Sequence, residues 1–195
     1  MGRGLLIAVA VVAVLLLGVG GCLVGNYNSL VTSDQLVKNK WAEVDNQLQR
    51  RGDLIGNLVE TVKGVATQEQ EVFGEIARAR AALGGARTPA EGIQADLAMG
   101  SALSRLLVVL ENYPQLKSNQ QFQSLMESIE TTENRLAVAR RRYNEEVGRF
   151  NVLVRRFPTN LFAGMFNFQQ AAYYETPEAA KVTPKVDFGG LRRTP

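Results

Sequence analysis

The stretch 37–62, VKNKWAEVDNQLQRRGDLIGNLVETV, decides the fold of this chain because its apolar residues recur every three or four positions. Val37, Trp41, Val44 and Leu48 open the series. A mean spacing of about 3.5 residues is typical of a helix that packs against other helices in a left-handed bundle or coiled coil. The stretch therefore predicts a long amphipathic helix.

The same spacing can be followed beyond this stretch. The seam positions are Val37, Trp41, Val44, Leu48, Arg51, Ile55, Leu58, Val62, Val65, Glu69, Val72, Ile76, Ala79 and Leu83, and twelve of these fourteen are apolar. We therefore expect one helix over residues 35–83, roughly 70 Å long at about 1.5 Å per residue. Tyr27 and Leu30 keep the count upstream, which is compatible with a rod that runs directly out of the N-terminal segment. Gly64 permits a bend.

Glycine and proline divide the rest of the chain. Gly84-Gly85 ends the first helix, and Thr88-Pro89 provides a capping side chain and a first-turn proline for a second helix over 90–112. Tyr113-Pro114 ends that helix, and residues 118–157 repeat the seam pattern. Each helix can bury its apolar stripe only against another helix. We therefore predict an all-α fold, an elongated antiparallel up-and-down bundle of three to four helices.

The N-terminal segment indicates a membrane anchor. Residues 4–24 form an apolar run of about the length that crosses a bilayer, preceded by the single charge of Arg3. The run ends in VGGCLVGNYNSLV (19–31), which contains the only cysteine, Cys22. Two alternatives remain open, an uncut single-pass transmembrane helix and a lipoprotein cleaved before Cys22 and lipidated on it. Neither fixes the side of the membrane that carries the bundle.

The expected domain organisation has three parts. Residues 1–25 are the anchor, residues 26–170 the helical bundle, and residues 171–195 an extended or disordered tail that is rich in proline from Thr176 on. Within the second part, the aromatic stretch 161–168 is expected to form a short amphipathic helix that docks on the bundle rather than entering the bilayer.

Composition excludes several classes of function. The net charge of +3 is spread along the chain without a polybasic block, so no nucleic-acid binding is expected. Histidine is absent, which removes the commonest general base and metal ligand. Glu130 and Glu133 have the spacing of di-iron bundles but lack the histidine, and no phosphate loop or nucleophile motif occurs. We expect no enzymatic activity, cofactor or metal site.

Three charged residues interrupt the seams. Arg51 and Glu69 occupy seam positions of the first helix and Glu146 one of the third, so a buried polar network, with Arg51 paired to Glu146 or Glu133, is one interpretation. The alternative is that these positions are solvated. The basic run Arg140-Arg141-Arg142 is likewise read either as a surface for anionic headgroups or, preferably, as a solvated helix face.

A set of short motifs distributed along almost the whole chain after the anchor resembles the LemA family of bacterial membrane proteins. The matching residues are Tyr27-Asn28, Leu30-Val31, Trp41, Val44, Gln47-Leu48, Arg51, Asp53-Leu54-Ile55, Asn57-Leu58-Val59, Val62-Lys63, Ala77-Arg78, Arg80, Tyr113-Pro114, Leu116-Lys117, Thr132-Glu133-Asn134, Ala139-Arg140, Tyr143-Asn144, Asn151, Phe157-Pro158, Tyr173-Tyr174-Glu175, Pro184, Val186 and Phe188. Gly56 departs from the family pattern, which typically has proline, and Gln68 replaces a common histidine.

The resemblance implies an up-and-down helical bundle on an N-terminal anchor, without an established enzymatic activity. It also implies a link of one family branch to the building of magnetosome membranes. We therefore expect a membrane-anchored interaction or scaffold protein with an unknown protein partner. In that case exposed motif residues such as Asn57, Asn134 and Tyr143 contact the partner or order the bundle. The alternative is a ligand-sensing or catalytic bundle that uses Arg51, Glu69 and Glu146, and the sequence leaves the oligomeric state open.

Overall fold

The computed structural model of the chain describes residues 2–66 and 68–174. Within these residues the chain forms six helices and no strand: α1 (Gly2–Lys63), α2 (Gln70–Gly85), α3 (Pro89–Leu110), α4 (Pro114–Lys117), α5 (Gln120–Arg155) and α6 (Thr159–Met165). The all-α prediction is confirmed.

Helices α1 and α5 form the long antiparallel pair of the fold. Arg51 lies beside Glu133, the rings of Trp41 and Tyr143 are 5.4 Å apart, and Thr159, just after α5, reaches Asn26. The residue numbers on one helix rise as those on the other fall, so the helices run in opposite directions. Seam residues of α1, among them Val44, Ile55 and Leu58, are fully buried in the core.

Helices α2 and α3 form a hairpin on the half of this pair that is distant from the N-terminus. Arg105 on α3 pairs with Glu75 on α2 at 2.5 Å, and Arg80 on α2 pairs with Asp53 on α1 at 2.8 Å. The predicted cap forms, because the Thr88 side chain accepts a hydrogen bond from the Glu91 amide. Together α1, α2, α3 and α5 make the expected up-and-down bundle of four helices.

The predicted single helix over 35–83 is wrong. Helix α1 ends at Lys63 and α2 begins at Gln70, with opposite directions. The spacing of apolar residues shows only which face of each helix is buried. Helices α1 and α2 bury their apolar faces in the same core, so the apolar spacing continues on both sides of the turn. Val65, a seam position, is consequently exposed in the turn. The run from α1 back into the N-terminal segment is uninterrupted.

The apolar N-terminal part of α1 projects beyond the bundle. The helix is long and apolar enough to cross a membrane, and none of its most apolar window is buried against the rest of the chain. Helix α3 passes the same length and composition test, but 44% of its window is buried in the bundle. Helix α3 is therefore part of the bundle core, and α1 is the one of these two helices whose apolar window is fully exposed.

The chain after α5 covers the half of the α1 and α5 pair that lies nearest the N-terminus. Helix α6 packs between the ends of α1 and α5, which is the docking expected for the aromatic stretch. Residues 171–174, which we name the strap, are non-helical and lie along α5. The rest of the predicted tail, 175–195, lies outside the described residues.

Candidate functional site

A cluster of charged side chains lies where α1, α3 and α5 meet, with Asp96 and Arg51 buried and Arg140 and Glu133 partly exposed. Asp96 on α3 is 2% exposed and accepts hydrogen bonds from two arginines. Arg51 Nη1 on α1 lies 2.5 Å from its Oδ1, and Arg140 Nη2 on α5 lies 2.5 Å from its Oδ2. One carboxylate thus connects three helices.

Glu133 on α5 completes the charge balance of this cluster. Its Oε1 lies 3.4 Å from Arg140 Nη1, and its Oε2 lies 3.2 Å from Arg51 Nε. The second contact is close enough for attraction between charges but is not aligned as a hydrogen bond. Two arginines and two carboxylates give no net charge, which is the condition under which a buried ionic group is tolerated.

Tyr174 of the strap closes the cluster. Its phenol donates a short hydrogen bond to Asp96 Oδ2, and its ring lies under the Arg140 guanidinium, 4.6 Å from the ring centroid. Burial, followed by the neighbouring charge of Asp96 and the hydrogen bond to it, raises the pKa of Tyr174 well above its ordinary value. The phenol is therefore a firm donor at neutral pH.

Two asparagines and a tyrosine on α5 hold the strap through its backbone. Asn151 donates to the Ala171 carbonyl at 3.0 Å and accepts from the Ala171 amide at 2.8 Å. Asn144 makes the same pair of bonds with Tyr174, at 2.9 and 2.8 Å. The Tyr143 phenol donates to the Ala172 carbonyl at 2.9 Å, and burial raises its pKa. Tyr143 is 1% exposed, so the expectation that it is an exposed motif residue is wrong. These side chains replace the pairing that a neighbouring strand would give.

The charged cluster holds α1, α3, α5 and the strap together, and we name its members Arg51, Asp96, Glu133, Arg140 and Tyr174 the lock. Both Asp96 oxygens are occupied, and each arginine is directed at a carboxylate. Among the described residues, no group of three metal-ligating side chains lies close enough together to hold an ion. Three buried atoms of the cluster, Arg51 Nε, Arg140 Nε and Glu133 Oε2, have no hydrogen-bond partner among the described residues, but each belongs to a side chain that is already paired with an opposite charge.

The structure brings together only two of the four residues proposed for a polar network, Arg51 and Glu133. Glu146 lies about 13 residues further along α5, roughly 20 Å away, and pairs with Arg149 at 2.9 Å. Glu69 precedes α2 in the turn that breaks the predicted long helix. The pairing of Arg51 with Glu146 is therefore wrong, because the antiparallel register sets Glu133 opposite Arg51.

Sequence reasoning missed three members of the cluster. Asp96 lies on the buried face of α3, between Ala95 and Met99, and a charged residue at a position of that apolar face was the available signal. Arg140 was assigned to a solvated basic run, but it points inward while Arg141 and Arg142 are exposed. Tyr174 was assigned to the tail, although it and Arg140 are among the family motifs.

A second feature, which we name the α1–α5 groove, opens between these helices. It encloses about 590 Å³ and is lined by Glu43, Asn46, Gln47, Thr131, Asn134, Arg135, Val138, Ala139 and Arg142. Arg135 follows Glu133 by two residues on α5, and Arg142 follows Arg140 by two residues. Two residues correspond to about 200° around a helix, so the groove and the lock lie on opposite faces of α5. The buried Gln47 side-chain oxygen has no hydrogen-bond partner in the described chain.

Comparisons with known proteins agree with one another. A family model described as LemA family matches residues 40–188. Magnetosome protein MamQ 2 of Paramagnetospirillum magneticum is 26% identical over an alignment of 219 residues that covers 95% of this chain and 79% of that protein. Magnetosome protein MamQ of Magnetospirillum gryphiswaldense is 26% identical over 218 residues, with the same coverage.

Proposed function

The chain belongs to the LemA family, and from that premise we propose that it is a membrane-anchored scaffold that binds a protein partner in the α1–α5 groove. The observation that carries this proposal is the continuity of α1. One helix of 62 residues, roughly 93 Å long, contains both the apolar segment and one wall of the groove. An unbroken helix fixes the groove at a set height above the membrane.

The groove has the composition expected of a surface for a polar helix or loop. Val138 and Ala139 supply apolar surface, and the exposed side chains of Asn46, Asn134 and Arg135 supply hydrogen-bond donors and acceptors. The unpaired Gln47 oxygen supports the same interpretation, since a buried acceptor without a partner is costly unless a ligand satisfies it. Asn134 is also one of the exposed family-motif residues.

Membrane attachment is proposed through α1 as an uncut single-pass helix. The chain carries exposed Leu and Val side chains on all sides of α1 up to Val24. The alternative, a lipid on Cys22 after cleavage, predicts loss of residues 1–21 and an added lipid mass. Intact mass spectrometry of purified protein distinguishes the two, because an N-terminus at residue 1 supports the span.

The relatives' names suggest a setting. Two relatives are magnetosome proteins by name, and by analogy we propose that this chain acts in organising a membrane or envelope. We propose no enzymatic activity. A ligand-sensing or catalytic bundle on Arg51, Glu69 and Glu146 lacks support, because these residues are spread over roughly 40 Å of the bundle.

Photo-crosslinking of the full-length protein in cells tests the scaffold. A crosslinking amino acid replaces Val138 in the groove or, as a control, the exposed Val108 on α3. The expected result is one discrete crosslinked partner from position 138, absent at position 108 and lost when Asn134→Arg fills the groove. Equal crosslinking at both positions, or none at 138, contradicts the proposal.

A further inference from the structure

Helix α6 has a position and an exposed face that the scaffold function does not use. We propose that this face lies on the lipid headgroup surface as a second membrane contact, beside the point where α1 enters the bilayer. The proposal rests on the anchoring of α1 proposed above. It commits to a bilayer containing anionic lipid as the occupant of this face.

Contacts with α1 place α6 at the membrane boundary. Thr159 Oγ1 donates to Asn26 Oδ1 at 2.9 Å, and Asn26 is two residues, about 3 Å, beyond the last residue of the apolar run, Val24. The rings of Tyr27 and Phe166 pack with centroids 4.7 Å apart. An apolar run that ends at Val24 therefore sets α6 at the height of the headgroups, where tyrosine is also favoured.

The helix has two different faces. Thr159 and Ala163 are buried against α1 and α5. Three apolar side chains spaced by four residues point away from the bundle: Phe157 is 75% exposed, Leu161 59% and Met165 69%. Side chains four residues apart share one side of a helix, so Leu161 and Met165 form one row on α6, while Phe157 is exposed in the turn that precedes the helix. Docking on the bundle thus accounts for only one face.

The surrounding charge fits an anionic lipid surface. Arg155 and Arg156 are exposed and directly precede Phe157. Basic residues held near a membrane surface are attracted to anionic headgroups. An apolar row beside basic residues is the arrangement by which interfacial helices lie about 5–10 Å deep in the headgroup region. With α1 already in the bilayer, the short α6 does not need to hold the membrane alone.

Fluorescence quenching in vesicles tests this placement on the full-length chain. In a Cys22→Ser background, an environment-sensitive label is attached to a single cysteine at Leu15 in the anchor, at Leu161, or at Val108 on distant α3. The protein is reconstituted in phosphatidylcholine and phosphatidylglycerol vesicles that carry a quencher at a shallow or a deep acyl position.

The three positions have different expected outcomes. The label at Leu15 loses its emission with deep quencher, the label at Leu161 with shallow quencher, and the label at Val108 with neither. Phe157→Ser with Met165→Ser reduces the quenching at Leu161. If Leu15 is not quenched, the anchoring of α1 fails. If Leu15 is quenched but Leu161 behaves as Val108, only the second contact is refuted. The label at Leu161 could instead report a shielded environment that no lipid quencher reaches and that increases with the protein-to-lipid ratio. That result would also refute the second membrane contact and would indicate that another copy of the chain covers this face.

Discussion

Tyr174 donates its phenolic hydrogen to Asp96, 78 residues earlier in the chain. This bond connects the strap, which lies along α5, to α3, so it joins two segments that are far apart in the sequence. Because Asp96 also receives both arginines, the stability of the strap and that of the buried charge cluster are coupled. The predictions below follow from that coupling and from the packing around it.

Replacing Arg51 with methionine is expected to lower the free energy of unfolding by about 3–5 kcal/mol, because Asp96 and Glu133 must then share the single positive charge of Arg140, which leaves one negative charge of the cluster uncompensated. Denaturation of the full-length protein in detergent, followed by circular dichroism, measures the loss. Arg50→Met is the matched control, since Arg50 is exposed and should change stability little. In Arg51→Met with Asp96→Leu, Arg140 and Glu133 remain as a neutral pair, and much of the loss should be recovered. A stable single variant would contradict the buried pair.

The alkaline stability of the protein should depend on Tyr174. Its pKa in the folded state is raised above the value of about 10 expected for the unfolded chain, so its contribution is fully present below pH 10. Above pH 10 the unfolded state loses this proton first, and stability falls by up to about 1.4 kcal/mol per pH unit.

The test is denaturation of wild type, Tyr174→Phe and the exposed control Tyr173→Phe at pH 8 and at pH 11. Tyr174→Phe should cost about 1–3 kcal/mol at pH 8, since it removes a hydrogen bond to a charged group. The difference in the free energy of unfolding between Tyr174→Phe and wild type should be smaller at pH 11. Wild type loses stability there through the Tyr174 proton, and the variant has no phenol at this position to lose one. A gap that stays constant or widens with pH would refute the role assigned to the phenol.

Asn151→Asp is expected to release the strap. The aspartate keeps an acceptor for the Ala171 amide but loses the donor to the Ala171 carbonyl and repels it. Hydrogen exchange followed by mass spectrometry should increase in a peptide covering 168–174, with little change in the middle of α5. The same change at exposed Asn134 on α5 is the control and should leave strap exchange unaltered. Protection of the strap in Asn151→Asp would argue that other contacts hold it.

Two glycines on α3 should respond oppositely to alanine. A Cβ at Gly92 would lie 2.8 Å from the Trp41 ring, so Gly92→Ala is expected to lose about 1–3 kcal/mol. A Cβ at Gly100 would lie 3.7 Å from Arg51, an ordinary contact, so Gly100→Ala should gain about 0.5–1 kcal/mol of helix propensity. Thermal melts of the two variants give the comparison. Equal effects would mean that the Trp41 ring does not lie against Gly92.

The sequence alone was sufficient to predict the buried faces of the helices, which follow from local periodicity, and several helix ends, which follow from the positions of glycine and proline. The burial of Val44, Ile55 and Leu58 follows from a repeat that each helix carries within itself. The cap at Thr88 and the family relationship were likewise readable from short stretches. These features depend on neighbours in the chain, which a single sequence displays directly.

Tertiary structure decided what depends on how separate helices meet. The reversal after Lys63 could not be distinguished from a continuous rod, since both bury the same face. The partners of Arg51 followed from the antiparallel register of α1 and α5 and from α3 entering beside them. The placement of Tyr174 over Asp96 was hidden for the same reason: charge pairing acts over a few ångströms in space, whatever the separation along the chain.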